Sequence, residues 1–547
     1  MDSMTVRAVT PCGPAILSAA APSLAEALRS PACYPDPADR ISVIETHLSR
    51  VFLAGDHAYK VKKDVRLPFA DFSTLEARRR ACAEEVRLNR RTAPGLYLGV
   101  VPIAGTAAAP VVGGAGPAIE YAVHMRRFPA DALLDGLARD GRLTAAHAEA
   151  LAQSVAALHA AAERAPAGSG YGTPGDILGD ALANLHDLHA RAAGPPFADA
   201  LDFVREWTLA EHRALGPFLA ERRSDGFVRE CHGDLHLANV VLLDGMPVPF
   251  DALEFAPRLR WIDVMSDVAF AVMDLERHRK PGLASVFLDR YLELTGDYPG
   301  LRVLRFYAVY RAMVRAKVAA IRVGQEAGGP GRDAARVDAA AHIALAQRLA
   351  HRSRPALILM HGLPGSGKSF VSRQVVESLG AVRIRSDVER KRRGGLGALE
   401  RSGSALGEGL YTARENALTY GRLAELASWS LAGGYPTVVD AAFLRRGERD
   451  ALRALATAAG ATFAIAACVA PEAVLRARLA RRERAGDDAS EAGLEVLALQ
   501  RPRIEPLGRD EAAHAVVFDT TRPPALREGC AALARRIRPV RHRLPGP

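Results

Sequence analysis

The chain has 547 residues, 49% of them hydrophobic and 24% charged, and carries a formal net charge of +10. This length exceeds one compact core and predicts two or more domains of ordinary globular composition, which excludes a disordered or fibrous chain. No charge-free apolar run approaches the roughly 18 residues of a membrane span, and Asp2, Pro11, Pro14 and Pro22 stand where a leader would need basic and then apolar residues.

Taken in chain order, residues 1–35 are rich in Ala, Pro and Ser and predict a flexible arm. Ile41–Ile44, Val51–Ala54 and His57–Lys62 read as strands, the last two joined at Gly55-Asp56. Leu75–Arg91 is a charged amphipathic helix, and Leu98–Ile103 and Ala118–Met125 are further strands. From Ala132 the pattern turns helical, with helices expected at 145–162, 177–192, 198–223 and 283–295. Gly324–Asp333 is the densest internal Gly/Pro stretch, so residues 324–353 read as a linker and connecting helix. These signals divide the chain into a first domain at 36–323 and a second at 354–547. In the second, strands at 356–360, 381–384, 436–440, 462–468 and 515–518 alternate with helices, which predicts an α/β fold with a five-stranded parallel sheet.

The six cysteines, Cys12, Cys33, Cys82, Cys231, Cys468 and Cys530, are dispersed without a C-x-x-C pair. That disfavours zinc and a disulfide framework and fits a reducing cytoplasm. The positive charge comes mostly from Arg and is spread along the chain, which disfavours a nucleic-acid partner. Lysine occurs only at Lys60, Lys62, Lys63, Lys280, Lys317, Lys368 and Lys391. Such sparing use makes the lysines of the first hairpin, and Lys368, candidate phosphate contacts.

Gly362-Leu363-Pro364-Gly365-Ser366-Gly367-Lys368-Ser369 fits the G-x-x-x-x-G-K-[ST] pattern between an apolar strand and a helix. In that setting glycines let backbone N–H groups surround phosphate oxygens and the helix N-terminus adds its dipole. Lys368 reaches the terminal phosphates and the Ser369 hydroxyl holds Mg²⁺. The expected ligands are therefore ATP, or another nucleoside triphosphate, and Mg²⁺.

The first domain has a second constellation, His232-Gly233-Asp234-Leu235-His236-Leu237-Ala238-Asn239, then apolar Val240–Leu243 and Pro249-Phe250-Asp251. H-x-D-x-x-x-x-N followed by an Asp after an apolar run matches kinase logic. It resembles the aminoglycoside phosphotransferase family, with its choline- and homoserine-kinase relatives, and implies a two-lobed protein-kinase-like fold. The resemblance assigns Asp234 as the catalytic Asp, Asn239 and Asp251 as Mg²⁺ ligands, and Asp267 as a structural aspartate holding the loop. Lys60 matches the strand lysine, with Lys62 on the same face as the alternative. Glu85 or Glu84 would be its ion-pair partner. Thr46-His47-Leu48-Ser49 stands where other kinases carry a Gly-rich loop, so a degenerate, nucleotide-sensing domain stays open.

In the second domain, Ser386-Asp387-Val388-Glu389-Arg390 resembles the D-x-x-R of small P-loop kinases of the polynucleotide-kinase, gluconate-kinase and zeta-toxin group. That implies a base, Asp387, and an acceptor-binding Arg390, for which helix capping and a solvated side chain are the alternatives. Asp440 ends an apolar strand, where such kinases place a ligand for Mg²⁺-bound water or substrate. Arg476, Arg478, Arg481 and Arg482 crowd one helix, and Arg478 and Arg482, one turn apart, are the candidate lid arginines.

The order of parts resembles the bifunctional aminoglycoside phosphotransferase / ATP-binding protein family from about Ile41 to Thr521, most clearly at 232–239, 362–369, 386–390 and 435–446. The resemblance implies a cytoplasmic, ATP-dependent phosphotransferase with two nucleotide-binding modules, acting on a hydroxyl of a small-molecule acceptor. A P-loop kinase governed by a sensor domain, a nucleic-acid end kinase and a partner-driven ATPase remain the alternatives. The acceptor, base preference and oligomeric state are left open.

Overall fold

A computed structural model of the chain describes residues 23–46, 48–67, 70–191, 195–325, 328–351, 355–404, 408–485 and 489–537. Most of the expected arm, His47 and the expected boundary at Arg354 lie outside these residues. The chain forms two compact units, residues 1–90 with 94–128, and residues 91–93 with 129–547.

The first unit is an antiparallel sheet with one long helix. Its strands are β1 (Ile41–Glu45), β2 (Ser49–Ala54), β3 (His57–Lys62), β4 (Tyr97–Thr106), β5 (Ala109–Val112) and β6 (Glu120–Arg126), arranged β1-β2-β3-β6-β4-β5. Strand alternation sends Tyr59 and Val61 to one face, where they join Leu28, Tyr34, Phe52 and Ile103 in a core. It sends Lys60 and Lys62 to the other. Helix α1 (Leu75–Asn89) starts at Thr74, whose hydroxyl accepts from the Ala77 N–H, and buries Ala81, Cys82, Glu85 and Val86.

After a short helix at Leu134–Arg139, the second unit has helices α2 (Ala145–Ala161), α3 (Pro174–Arg191) and α4 (Pro195–Ser224), then the short strand β7 (Val228–Glu230). A hairpin of β8 (Val240–Leu243) and β9 (Met246–Pro249) follows, and β10 (Trp261–Asp263) pairs back on β7. Helices α5 (Val264–Arg277), α6 (Pro281–Thr295), α7 (Leu301–Gln325) and α8 (Pro330–Ala350) complete the helical part. The Gly/Pro-rich stretch near 324–333 falls at the turn between α7 and α8, which pack along each other.

The same unit continues into a parallel α/β layer. Strand β11 (Ala356–His361) leads to α9 (Lys368–Leu379), β12 (Val382–Arg385) to α10 (Ser386–Arg393), and α11 (Ala413–Ala432) to β13 (Thr437–Asp440). Helix α12 (Arg446–Ala458), β14 (Thr462–Val469), α13 (Glu472–Ala485), β15 (Ala515–Asp519) and α14 (Pro523–Ile537) follow. The sheet is five-stranded and parallel, ordered β12-β13-β11-β14-β15. Central β11 is buried at every position, the reason its sequence is apolar from Ala356 to Met360, with buried His361 closing the strand. One apolar core spans both parts, with Phe287, Tyr298 and Leu304 of the helical part joined to Val382, Ile384 and Leu426. Among the described residues no helix is long and apolar enough to cross a membrane.

Candidate active sites

The P-loop is built by glycine. Gly362, Gly365 and Gly367 have φ of 145, 78 and 89°, which a side chain would strain. A Cβ at Gly365 would stand 2.8 Å from the Leu475 carbonyl oxygen, and one at Gly362 2.5 Å from that of Cys468. Lys368 folds back over the loop, donating to the Gly362 and Leu363 carbonyls at 2.9 and 3.0 Å. Burial pushes its ammonium pKa down, opposed first by the Asp440 carboxylate. Among the described residues the buried Ser366 hydroxyl has no partner. A cradle only glycine allows, an orphaned buried hydroxyl and a lysine resting on loop carbonyls fit a triphosphate.

The loop opens into a cleft of about 2140 Å³ lined by Lys368, Ser369, Asp387, Arg390, Asp440, Arg478 and Arg482 among others. Parallel pairing delivers these residues together, because β11, β12 and β13 all end at one edge of the sheet. Asp440 is 5% exposed and accepts from the Ser372 hydroxyl at 2.9 Å. Asp387 sits in the first turn of α10, 3.2 Å from an Arg390 guanidinium nitrogen. Arg390 also donates to Asn416 at 2.8 Å and lies 4.9 Å from the Tyr411 ring centre.

The two candidate lid arginines are engaged differently. Arg478 donates to the Thr520 hydroxyl and carbonyl at 2.8 Å each and to the Gly365 carbonyl at 3.3 Å. Thr520 in turn donates to the Ser366 carbonyl at 2.9 Å, so this pair braces the P-loop from behind. Arg482 bonds the Ala492 carbonyl. Arg476 pairs with Glu472 at 3.0 Å on the surface. Thr520, Ser372, Asn416 and Tyr411 were not singled out in the sequence, because Thr520, Asn416 and Tyr411 reach the site from distant segments, Ser372 lies one turn beyond the P-loop on α9, and none carries a motif.

In the helical part, the His232–Asn239 loop is held by its backbone. Asp267, fully buried at the start of α5, accepts the N–H groups of His232 and Gly233 at 2.8 and 2.9 Å. His159 faces the same carboxylate at 3.3 Å. Burial alone would raise the Asp267 pKa, but these partners, His159 first, hold it at about 2. Gly233 has φ 85°, and a Cβ there would stand 2.9 Å from the Leu259 carbonyl oxygen. The Asp234 carboxylate receives the Asn239 amide at 2.9 Å and faces His236 at 3.3 Å. Against the upward push of burial, His236 and Arg315 keep Asp234 well below the usual carboxylate range. Asp251 follows the β8–β9 hairpin in the left-handed region at φ 60°, strained for a non-glycine residue. The Phe250 N–H before it bonds the Asn239 carbonyl at 2.9 Å, which draws the Asn239 and Asp251 segments together.

In the first unit, Lys60 meets Glu85 at 2.8 Å, and Lys62 bonds the other carboxylate oxygen. Glu85 is fully buried, which would raise its pKa, yet the lysines bring it down to about 2. Glu84 instead pairs with Arg87 at 2.8 Å on the outer face of α1.

Fold and loops define a class: a protein-kinase-like domain fused ahead of a P-loop kinase-type domain. The AAA domain family matches residues 357–507, the P-loop part. Over 450 residues the chain is 31% identical to the uncharacterized protein Rv2004c of Mycobacterium tuberculosis and equally to the uncharacterized protein Mb2027c of Mycobacterium bovis. The match covers 82% of this chain and 88% of each relative. The chain belongs to the same family as these mycobacterial proteins. Among solved structures, a gluconokinase from Sinorhizobium meliloti is 25% identical, covering 34% of this chain and 95% of its own, with TM-score 0.25. A choline kinase from Cryptosporidium parvum is 9% identical, covering 57% and 89%, with TM-score 0.37.

Proposed function

We propose that the P-loop domain, taken from about residue 354 onward, transfers the γ-phosphoryl group of ATP to a hydroxyl of a small-molecule acceptor. The observation that carries this reading is one cleft holding Lys368, Ser369, Asp440, Asp387 and Arg390. Phosphoryl transfer asks chiefly for positioning and charge neutralisation. Ser369 and Asp440 would hold Mg²⁺, which neutralises charge developing on the phosphate oxygens. Lys368 swings from the Gly362 and Leu363 carbonyls to the terminal phosphates. Asp387, kept in place by Arg390, orients the acceptor hydroxyl and takes its proton. A bond forms between the acceptor oxygen and γ-phosphorus, the bond to the bridging β–γ oxygen breaks, and ADP leaves. Arg390 faces the acceptor side, and Arg478 and Arg482 line the nucleotide side, Arg478 by bracing the P-loop.

The kinase-like domain, residues 36–323, is read as a second phosphotransferase module. Asp234 is its base, Asn239 and Asp251 its Mg²⁺ ligands, and the Lys60–Glu85 pair its phosphate grip, with Lys62 sharing Glu85. A nucleotide sensor is the second reading, favoured by an Asp234 carboxylate already engaged by Asn239 and His236. Dispersed cysteines without a C-x-x-C pair support a cytoplasmic site of action.

The test is transfer of labelled γ-phosphate from ATP into a metabolite extract by wild type, Asp234→Asn and Lys368→Ala. Product lost in one variant assigns the chemistry to that domain. Release of free phosphate alone in every case rejects the kinase reading in favour of an ATPase. Occupancy at the first domain without any Asp234-dependent product selects the sensor.

A further inference from the structure

Strand β12 is the edge of the parallel sheet, and it runs straight into Asp387 and Arg390. An edge strand presents backbone groups with no sheet partner. At Arg383 both are taken by side chains from the preceding domain. Its N–H donates to Asp289 at 2.7 Å, and its carbonyl accepts from the Tyr298 hydroxyl at 3.0 Å. The Arg383 guanidinium meets Asp289 at 3.2 Å and Glu293 at 3.4 Å, and Arg385 lies 3.6 Å from Glu293. Asp289 and Glu293 are 4% and 5% exposed, so these bonds form away from water, where directed contacts fix geometry best.

Asp289 and Glu293 lie one turn apart on α6, and Tyr298 follows shortly after it. Tyr291, on the opposite face of α6, bonds His159 at 2.8 Å, the residue facing Asp267 beneath the His232–Gly233 loop. One helix therefore supports the base-bearing segments of both candidate sites.

We propose that α6 is a positioning element of the P-loop site: Asp289, Glu293 and Tyr298 hold edge strand β12 and so fix where Asp387 and Arg390 enter the cleft. None of the three lines the P-loop cleft, and the catalytic consequence rests on the phosphotransfer reading above. The fusion then has a physical reason, since the P-loop domain alone would leave this edge to water, which satisfies the backbone groups without fixing them.

The test uses the full chain with Asp289→Asn, Glu293→Gln and the milder Tyr298→Phe, read in two ways. The first is amide hydrogen exchange at residues 382–393 against 356–372. Exchange should quicken about tenfold or more at 382–393 and stay within about twofold at the P-loop. The second is hydrolysis of ATP with water as acceptor, counted as the part lost in Lys368→Ala. Its kcat should fall about 5- to 20-fold with KM for ATP within about twofold, as misplacing a base demands. Unchanged exchange at 382–393 in all three variants overturns the proposal, and so does equal quickening of both segments, which is general loosening. A wild type with no Lys368-dependent turnover defeats the phosphotransfer reading instead, and the exchange data still decide the positioning.

Discussion

The two phosphate-handling loops are stabilised in opposite ways. In the P-loop the carbonyls are braced, by Arg478, Thr520 and Lys368, no carboxylate among the described residues takes the loop's N–H groups, and the loop opens onto a cleft. In the His232–Asn239 loop Asp267 consumes the N–H groups of His232 and Gly233, Asp274 that of Leu237, and function is left to the side chains of Asp234 and Asn239. A loop that binds anions with its backbone must leave its amides unspent. A loop that works through carboxylates can lock its backbone down, and burying Asp267 beneath it does so.

The largest expected effect separates the loops directly. Lys368→Ala should lower P-loop-dependent turnover by about 10²- to 10³-fold, the usual loss for one electrostatic contact to a transferring group. Asp234→Asn should leave that turnover intact, as measured by steady-state ATP hydrolysis. If Asp234→Asn also removes it, the loops do not act as separate sites and the comparison fails.

Next in size is Asp267→Asn, for which chemical denaturation should show a loss of about 2–4 kcal/mol, because a buried charge partner of His159 disappears. Among the described residues the P-loop has no equivalent, no buried carboxylate that holds its amides. The pH dependence has a defined sign. The folded-state pKa of Asp267, about 2, lies below its ordinary 3.8. Its contribution is therefore complete above about pH 4 and is lost as pH falls toward 2, amounting to about 2 kcal/mol. In Asp267→Asn that part of the acid destabilisation should be missing.

Much of this contrast was legible in the sequence, and the illegible part has a common physical cause. The P-loop, the His232–Asn239 run and the five parallel strands are local patterns, set by glycine geometry and apolar periodicity. Asp267 was readable only through family resemblance. His159, Thr520 and the Asp289–Arg383 contact join segments far apart in the chain, and each residue alone looks like any buried helical or loop residue. Lys60 and Lys62 were treated as alternatives, yet a single buried carboxylate with two oxygens accommodates both. Glu84 and Glu85 are neighbours in sequence, and the face of α1 that turns inward separates them.

Glycine substitutions come next. Gly233→Ala and Gly365→Ala each force a side chain into positive φ and against a carbonyl oxygen, so each should cost about 1–3 kcal/mol. The cost should appear in different measurements. Gly233→Ala should lower the melting temperature with nucleotide affinity at the P-loop unchanged. Gly365→Ala should weaken that affinity, read by titration with a fluorescent ATP analogue, because the loop's conformation is its function.

The smallest effect is the most discriminating for the P-loop itself. Arg478 was expected to close over the transferring phosphate, and here its guanidinium is spent on Thr520 and the Gly365 carbonyl. If bracing is its whole role, Arg478→Ala loosens the cradle in every state equally. KM for ATP should then rise about tenfold, the equivalent of one charge-assisted hydrogen bond, with kcat little changed. A fall in kcat at constant KM would mean that the side chain leaves Thr520 during the reaction and meets the phosphoryl group in flight. Thr520→Val separates the outcomes further, since it removes the hydroxyl that accepts from Arg478 and donates to the Ser366 carbonyl, and leaves Arg478 only its bonds to the Thr520 and Gly365 carbonyls. A braced loop predicts that Thr520→Val mimics the KM effect of Arg478→Ala, whereas a lid arginine predicts that it does not.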